Sequence, residues 1–167
     1  MTPLPGALGT GEVVAWRLDH QRFAPTWDSG EGAFRFGGRW NSKGVRAVYA
    51  SVDPATAILE VAVHKGFRAL DTVPHVLTCL DVTDISDIRI FVASEIPNAN
   101  WLRPGIPSAG QQQFGDALLA DHAFVLIPSV VSNHSWNILF DPSRAAGTYR
   151  LRTQEDFALD TRLHSPI

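Results

Sequence analysis

Val45-Arg46-Ala47-Val48-Tyr49-Ala50-Ser51-Val52-Asp53-Pro54 runs straight on into ATAILEVAVHK, residues 55–65, and this stretch organises the chain. Its first part, Val45–Ser51, reads as a buried strand. Asp53 followed by Pro54 is an N-cap with proline at the first helical position, and Gly66 is a natural stop. A helix is therefore predicted from Pro54 to Lys65. Its polar side chains, Thr56, Glu60 and His64, fall at i, i+4 and i+8, a single narrow stripe. The stripe is either the solvent face of a half-exposed helix or a line facing a cleft. Leu59 and Val63 beside it leave little polar surface for water, which favours the cleft. A carboxylate in apolar surroundings costs several kcal/mol unless it is neutralised, paired or put to use, so Glu60 is a candidate catalytic group.

Upstream lies Phe34-Arg35-Phe36-Gly37-Gly38-Arg39-Trp40-Asn41. Two glycines let the backbone approach a ligand closely, and the planar fork of Arg39 suits two-point contact with phosphate or carboxylate. The alternative is a surface arginine stacked on Trp40. From Asp19 to Asn41 no period of 2 or 3.6 emerges, so this segment reads as a long loop of the kind that carries function. Arg17, ending the apolar run Val13–Leu18, either points into a pocket or snorkels out. Tyr49 is either core or the wall of a site for a flat ligand. Ser129 follows an apolar strand ending in Pro128, without a GxSxG elbow around it. The glycines form neither GxxxxGK[ST] nor GxGxxG, and the six histidines show no metal-ligand spacing, so no metal is expected.

Further strands are expected at Val76–Val82, Ile88–Val92, Ala123–Pro128, Ser135–Phe140 and Ala146–Arg152, with a helix over Gln111–Asp121 and an irregular connection over Ala93–Ser108. Strands outnumber helices, which gives α+β with a mixed sheet. Residues 1–11 are rich in proline and glycine and read as a flexible N-terminal arm, with one domain over 12–167. A chain of 167 residues suffices for one core. With 14 Lys and Arg against 17 Asp and Glu, and no basic run, nucleic-acid binding is not expected. No apolar stretch is long enough for a membrane span and no signal peptide is visible, so a cytoplasmic protein is expected. Cys79, the single cysteine, sits in the apolar-alternating HVLTCLDV and reads as a core residue.

In order along the chain, Trp16-Arg17, FRFGGRWNSKG, Val48-Tyr49-Ala50, LEVAVH, Leu126-Ile127-Pro128-Ser129, Asn137–Pro142 and Asp160–Leu163 resemble the RES-domain proteins. The resemblance spans roughly Val13 to Leu163, with Asp141 where the family often has Asn. It implies a fold similar to ADP-ribosyltransferases, and places the family's named Arg, Glu and Ser at Arg39, Glu60 and Ser129. Arg17 and Tyr49 match further pocket positions. It further implies the toxin of a toxin–antitoxin pair that uses NAD+ as substrate, by hydrolysis, phosphorolysis or transfer to protein, and an Xre-type helix-turn-helix antitoxin as partner. A homodimer and a non-catalytic nucleotide-binding module are alternatives. ADP-ribosyltransferases that modify proteins often carry an acid two residues before the catalytic Glu. Ile58 stands there, which favours a small acceptor.

Overall fold

The computed structural model describes residues 13–164. The expected arm at 1–11 lies outside the described residues. Strands β1 (Val13–His20), β2 (Val48–Ser51), β3 (His75–Val82), β4 (Ile88–Ile90), β5 (Phe124–Pro128), β6 (Trp136–Phe140) and β7 (Tyr149–Phe157) form one sheet in the order β4-β5-β6-β2-β1-β3-β7. The β4–β5 pair is parallel and the other neighbours are antiparallel, so the expected mixed sheet is observed. The helices are α1 (Glu31–Phe36), α2 (Pro54–Lys65), α3 (Phe67–Thr72) and α4 (Ala109–Asp121).

Helix α2 has the boundaries its caps dictate. Asp53 Oδ1 accepts from the Thr56 N–H at 2.8 Å, and Gly66 ends the helix with φ +80°. Burial pushes the Asp53 carboxyl up, but hydrogen bonds from Ser135 and Thr56 outweigh it and hold it below the usual range. The segment 19–41 departs from the expected loop. It holds a 3-10 turn at Gln21–Thr26 and the six-residue α1, both too short for a helical period to register. Helix α3 was not expected either, and β7 starts later and runs further than Ala146–Arg152.

Alternation along the strands sorts the core. Phe124, Leu126, Ile138 and Phe140 join Val48, Ala50 and Leu80 on one face of the sheet, while Val125, Ile127 and Leu139 point the other way, beneath Trp40 and Leu119. Leu18 and Leu77 receive Ala62 of α2 and Leu70 of α3 in a third cluster. The register pairs Trp16 with Ser51, Ser51 with Asn137, and Tyr49 with Leu139. These side chains therefore share the face that carries α2, and Trp16, Tyr49, Ser51 and Asn137 floor the gap between α2 and the segment around Trp40.

Candidate functional site

That gap is a cavity of about 1080 Å³. Residues 16–20 of β1, much of 29–40, Tyr49 and Ser51 of β2, Asn137 of β6, and Ala57, Glu60, Val61 and His64 of α2 line it. Of the stripe on α2, Glu60 and His64 line the cleft and Thr56 does not. Thr56 is buried and its hydroxyl donates to Asp53 Oδ2 at 2.8 Å; Glu60 is half-buried; His64 is exposed at the mouth. The flanking apolar surface is not sealed from water, since Val63 is 56% exposed.

Glu60 is not an isolated carboxylate. Its Oε1 accepts from Ser129 Oγ at 2.9 Å and from Asn137 Nδ2 at 2.6 Å. Ser129 is itself buried and its Oγ accepts from the Ser132 N–H at 3.1 Å. Two neutral donors keep the carboxylate hydrogen-bonded without neutralising its charge.

Arg39 lines the same cavity. Its guanidinium reaches the carbonyls of Trp101 and Arg103, each at 3.4 Å, and of Gly105 at 3.1 Å. Among the described residues no carboxylate pairs with it. The loop that carries it is held rigidly from below. The Tyr49 hydroxyl accepts from the Trp40 N–H at 2.9 Å and donates to Asn41 Oδ1 at 2.7 Å. Asn41, fully buried, turns its Nδ2 toward the carbonyls of Ala33, Ser42 and Val45. Gly38 fits because a Cβ there would meet Asn41 Oδ1 and the Tyr49 hydroxyl at 2.7 Å each. Burial pushes the Tyr49 phenol far up, so it stays protonated and keeps donating. Tyr49 thus combines both readings open at the sequence level: its ring reaches the cavity and its hydroxyl is a strut.

Arg17 points into the cavity wall rather than out to solvent, and it is occupied. Nε and Nη2 grip Asp19 in a fork at 2.7 and 2.8 Å, and Nη1 donates to the Tyr49 carbonyl at 2.8 Å. Asp19 was missed in the sequence, although it lies two residues on, the spacing that puts strand neighbours on one side. Asn137 and Ser51 were missed as well. Their signal was a polar residue inside each of the apolar strands VYAS and WNILF. Among the described residues no group of three or more His, Cys, Asp and Glu side chains could hold a metal, and no helix is long and apolar enough to cross a membrane.

Residues 14–161 match the RES domain. A protein named Toxin Res from Pseudomonas putida is 30% identical over 157 residues, covering 90% of this chain and 99% of that protein. A Toxin Res from Photorhabdus laumondii is 28% identical over 155 residues, covering 90% and 97% respectively. The Prs ADP-ribosylating toxin of a Sphingobium species is 31% identical over 136 residues, covering 77% of this chain and 81% of that one. Among solved structures, the M. tuberculosis MbcT–MbcA toxin–antitoxin complex contains a chain that superposes with a TM-score of 0.71 at 22% identity, covering 88% of this chain and 85% of its own, a likeness of fold. The chain belongs to the RES-domain family.

Proposed function

From membership of that family as premise, we propose that the protein is the toxin of a toxin–antitoxin pair and that it cleaves the nicotinamide–ribose bond of NAD+. The observation that carries this reading is Glu60: an ionisable carboxylate on a cavity wall, held by the neutral donors Ser129 and Asn137, in the same cavity as an arginine that no described carboxylate neutralises. Breaking the bond between nicotinamide and the ribose C1′ sends its electron pair to the ring and leaves an oxocarbenium-like ribosyl cation. A fixed carboxylate stabilises that charge as it develops. Nicotinamide departs neutral from a cationic precursor, so no strong general acid is needed. Water or phosphate then forms the new C1′–O bond and gives up a proton to solvent.

Arg39 is assigned to the pyrophosphate. Its present contacts, neutral carbonyls at 3.1–3.4 Å, are weaker than charge-assisted bonds to phosphate oxygens, so the exchange is favourable. Arg17 is the secondary anion contact, because a phosphate there must compete with Asp19. The Tyr49 ring packs on the nicotinamide or its ribose. Ser129 acts through Glu60, since its hydroxyl already donates to the carboxylate and accepts from Ser132.

Transfer of ADP-ribose to a protein is the second reading, favoured by the relative named as an ADP-ribosylating toxin. Ile58 does not weigh against it. On a helix the position two before Glu60 points about 200° away, and Ile58 packs beside Leu18 and Leu70 instead. An Xre-type antitoxin is proposed to cover the mouth, where Phe23 and Phe36 are exposed at 44% and 76% beside arginines that suit a carboxylate-bearing chain end. The test is incubation of purified protein with NAD+ in the presence and absence of phosphate, with separation of products. Nicotinamide with ADP-ribose means hydrolysis, and nicotinamide with a phosphorylated ADP-ribose means phosphorolysis. NAD+ recovered intact in both conditions refutes the reading.

A further inference from the structure

The two oxygens of Glu60 are not equivalent. Ser129 Oγ and Asn137 Nδ2 both converge on Oε1, at 2.9 and 2.6 Å, and no described residue donates to Oε2. Asn137 is itself oriented. Its Oδ1 accepts from Ser51 Oγ at 2.8 Å, and the two residues are direct register partners between β2 and β6. With the carbonyl end of the amide engaged by Ser51, the NH₂ end is turned toward the carboxylate. Ser51 is buried and Asn137 half-buried.

We propose that Asn137, oriented by Ser51, is a positioning residue that fixes which oxygen of Glu60 meets the substrate: Oε1 is clamped against the sheet and Oε2 is presented to the ribose. This deepens the NAD+ reading and rests on it for what Oε2 contacts. The final torsion of a glutamate side chain is broad and roughly two-fold, so an unclamped carboxylate samples many orientations. A transition-state contact made by one oxygen is then formed from a disordered group and loses strength. The clamp bonds the Glu60 carboxylate and shares no hydrogen bond with Arg39, so its loss is felt in the chemical step and not in holding the pyrophosphate. Exchanging the amide for a carboxylate of the same shape is worse than removing it, because an oxygen then faces Oε1 and like charges repel.

The test compares wild type with Asn137→Ala, Asn137→Asp and Ser51→Ala, using nicotinamide release and the side-chain amide resonances of Asn137. Asn137→Ala is expected to lower kcat by roughly 10- to 100-fold with KM within about threefold of wild type, the range for one hydrogen bond to a charged group. Asn137→Asp is expected to fall further at the same KM. Ser51→Ala, the smaller change and the variant that decides if the Asn137 replacements do not fold, is expected to lower kcat a few-fold. The Asn137 amide resonances, identified by their loss in Asn137→Ala, should shift in both Glu60→Gln and Ser51→Ala. Unchanged kcat in every folded variant overturns the inference, and so do Asn137 resonances indifferent to Glu60→Gln. If wild type releases no nicotinamide while those resonances still respond to both replacements, the NAD+ reading fails and the clamp stands.

Discussion

Glu60 and Arg39 line one cavity but are held in opposite ways. Glu60 sits on a capped helix with its carboxylate tied to side chains from β6 and from the residue after β5, so the functional group itself is fixed. Arg39 sits on a loop whose backbone is fixed by Tyr49 and Asn41, while its guanidinium rests on neutral carbonyls at 3.1–3.4 Å. The difference teaches where each residue spends its interactions. A group that must stabilise a fleeting charge is preorganised, and a group that must capture an arriving anion keeps contacts it can trade. Damage near Glu60 should therefore appear in kcat, and damage near Arg39 in KM.

The harshest way to break the Arg39 side is Gly115→Ala. Its Cβ would lie 1.9 Å from the Trp40 carbonyl oxygen, so either α4 or the arginine loop must move. A loss of about 3 kcal/mol is expected, the upper range for overpacking, read as a lower denaturant midpoint with a raised KM in what remains folded. Arg39→Ala is next, raising KM about 10- to 100-fold in steady-state assays, with Arg39→Lys recovering part because it supplies charge without the fork. Ser129→Ala sharpens the other side: kcat falls about tenfold while KM holds. A Ser129→Ala variant that raises KM alone would erase the distinction between the two regions.

The smallest effect is at the base of α2. Asp53→Ala should cost about 1 kcal/mol of stability by removing the helix cap, with kinetics otherwise preserved. The Asp53 carboxyl is held below its usual range, so its contribution is complete above the ordinary carboxylate value. It fades as pH falls through the lower folded value. Equilibrium unfolding at neutral and acid pH checks this: wild type and Asp53→Ala should converge on acidification.

What could be read from the chain follows the same divide. The boundaries of α2 were legible because capping is local: Asp53, Pro54 and Gly66 write them directly. Glu60 stood out because the residues around it are apolar. The partners of Glu60 were not legible, since Ser129 and Asn137 lie 69 and 77 residues away and meet it through sheet register. Arg17 was seen without Asp19, so its engagement was missed. Around Arg39 the glycines signalled a special backbone, but the reason for Gly38, the Tyr49 hydroxyl beneath it, exists only once β2 is folded. The helices α1 and α3, at six residues each, are too short for periodicity to reveal.

The central claim, that Glu60 drives cleavage of the nicotinamide–ribose bond, is tested most directly by nicotinamide release at saturating NAD+ from wild type and Glu60→Gln, with circular dichroism to confirm that both are folded. Wild type is expected to turn over and Glu60→Gln to have a kcat lower by about 10²–10³, the loss seen when an electrostatic stabiliser of a transition state is removed. A folded Glu60→Gln protein that releases nicotinamide at the wild-type rate contradicts it.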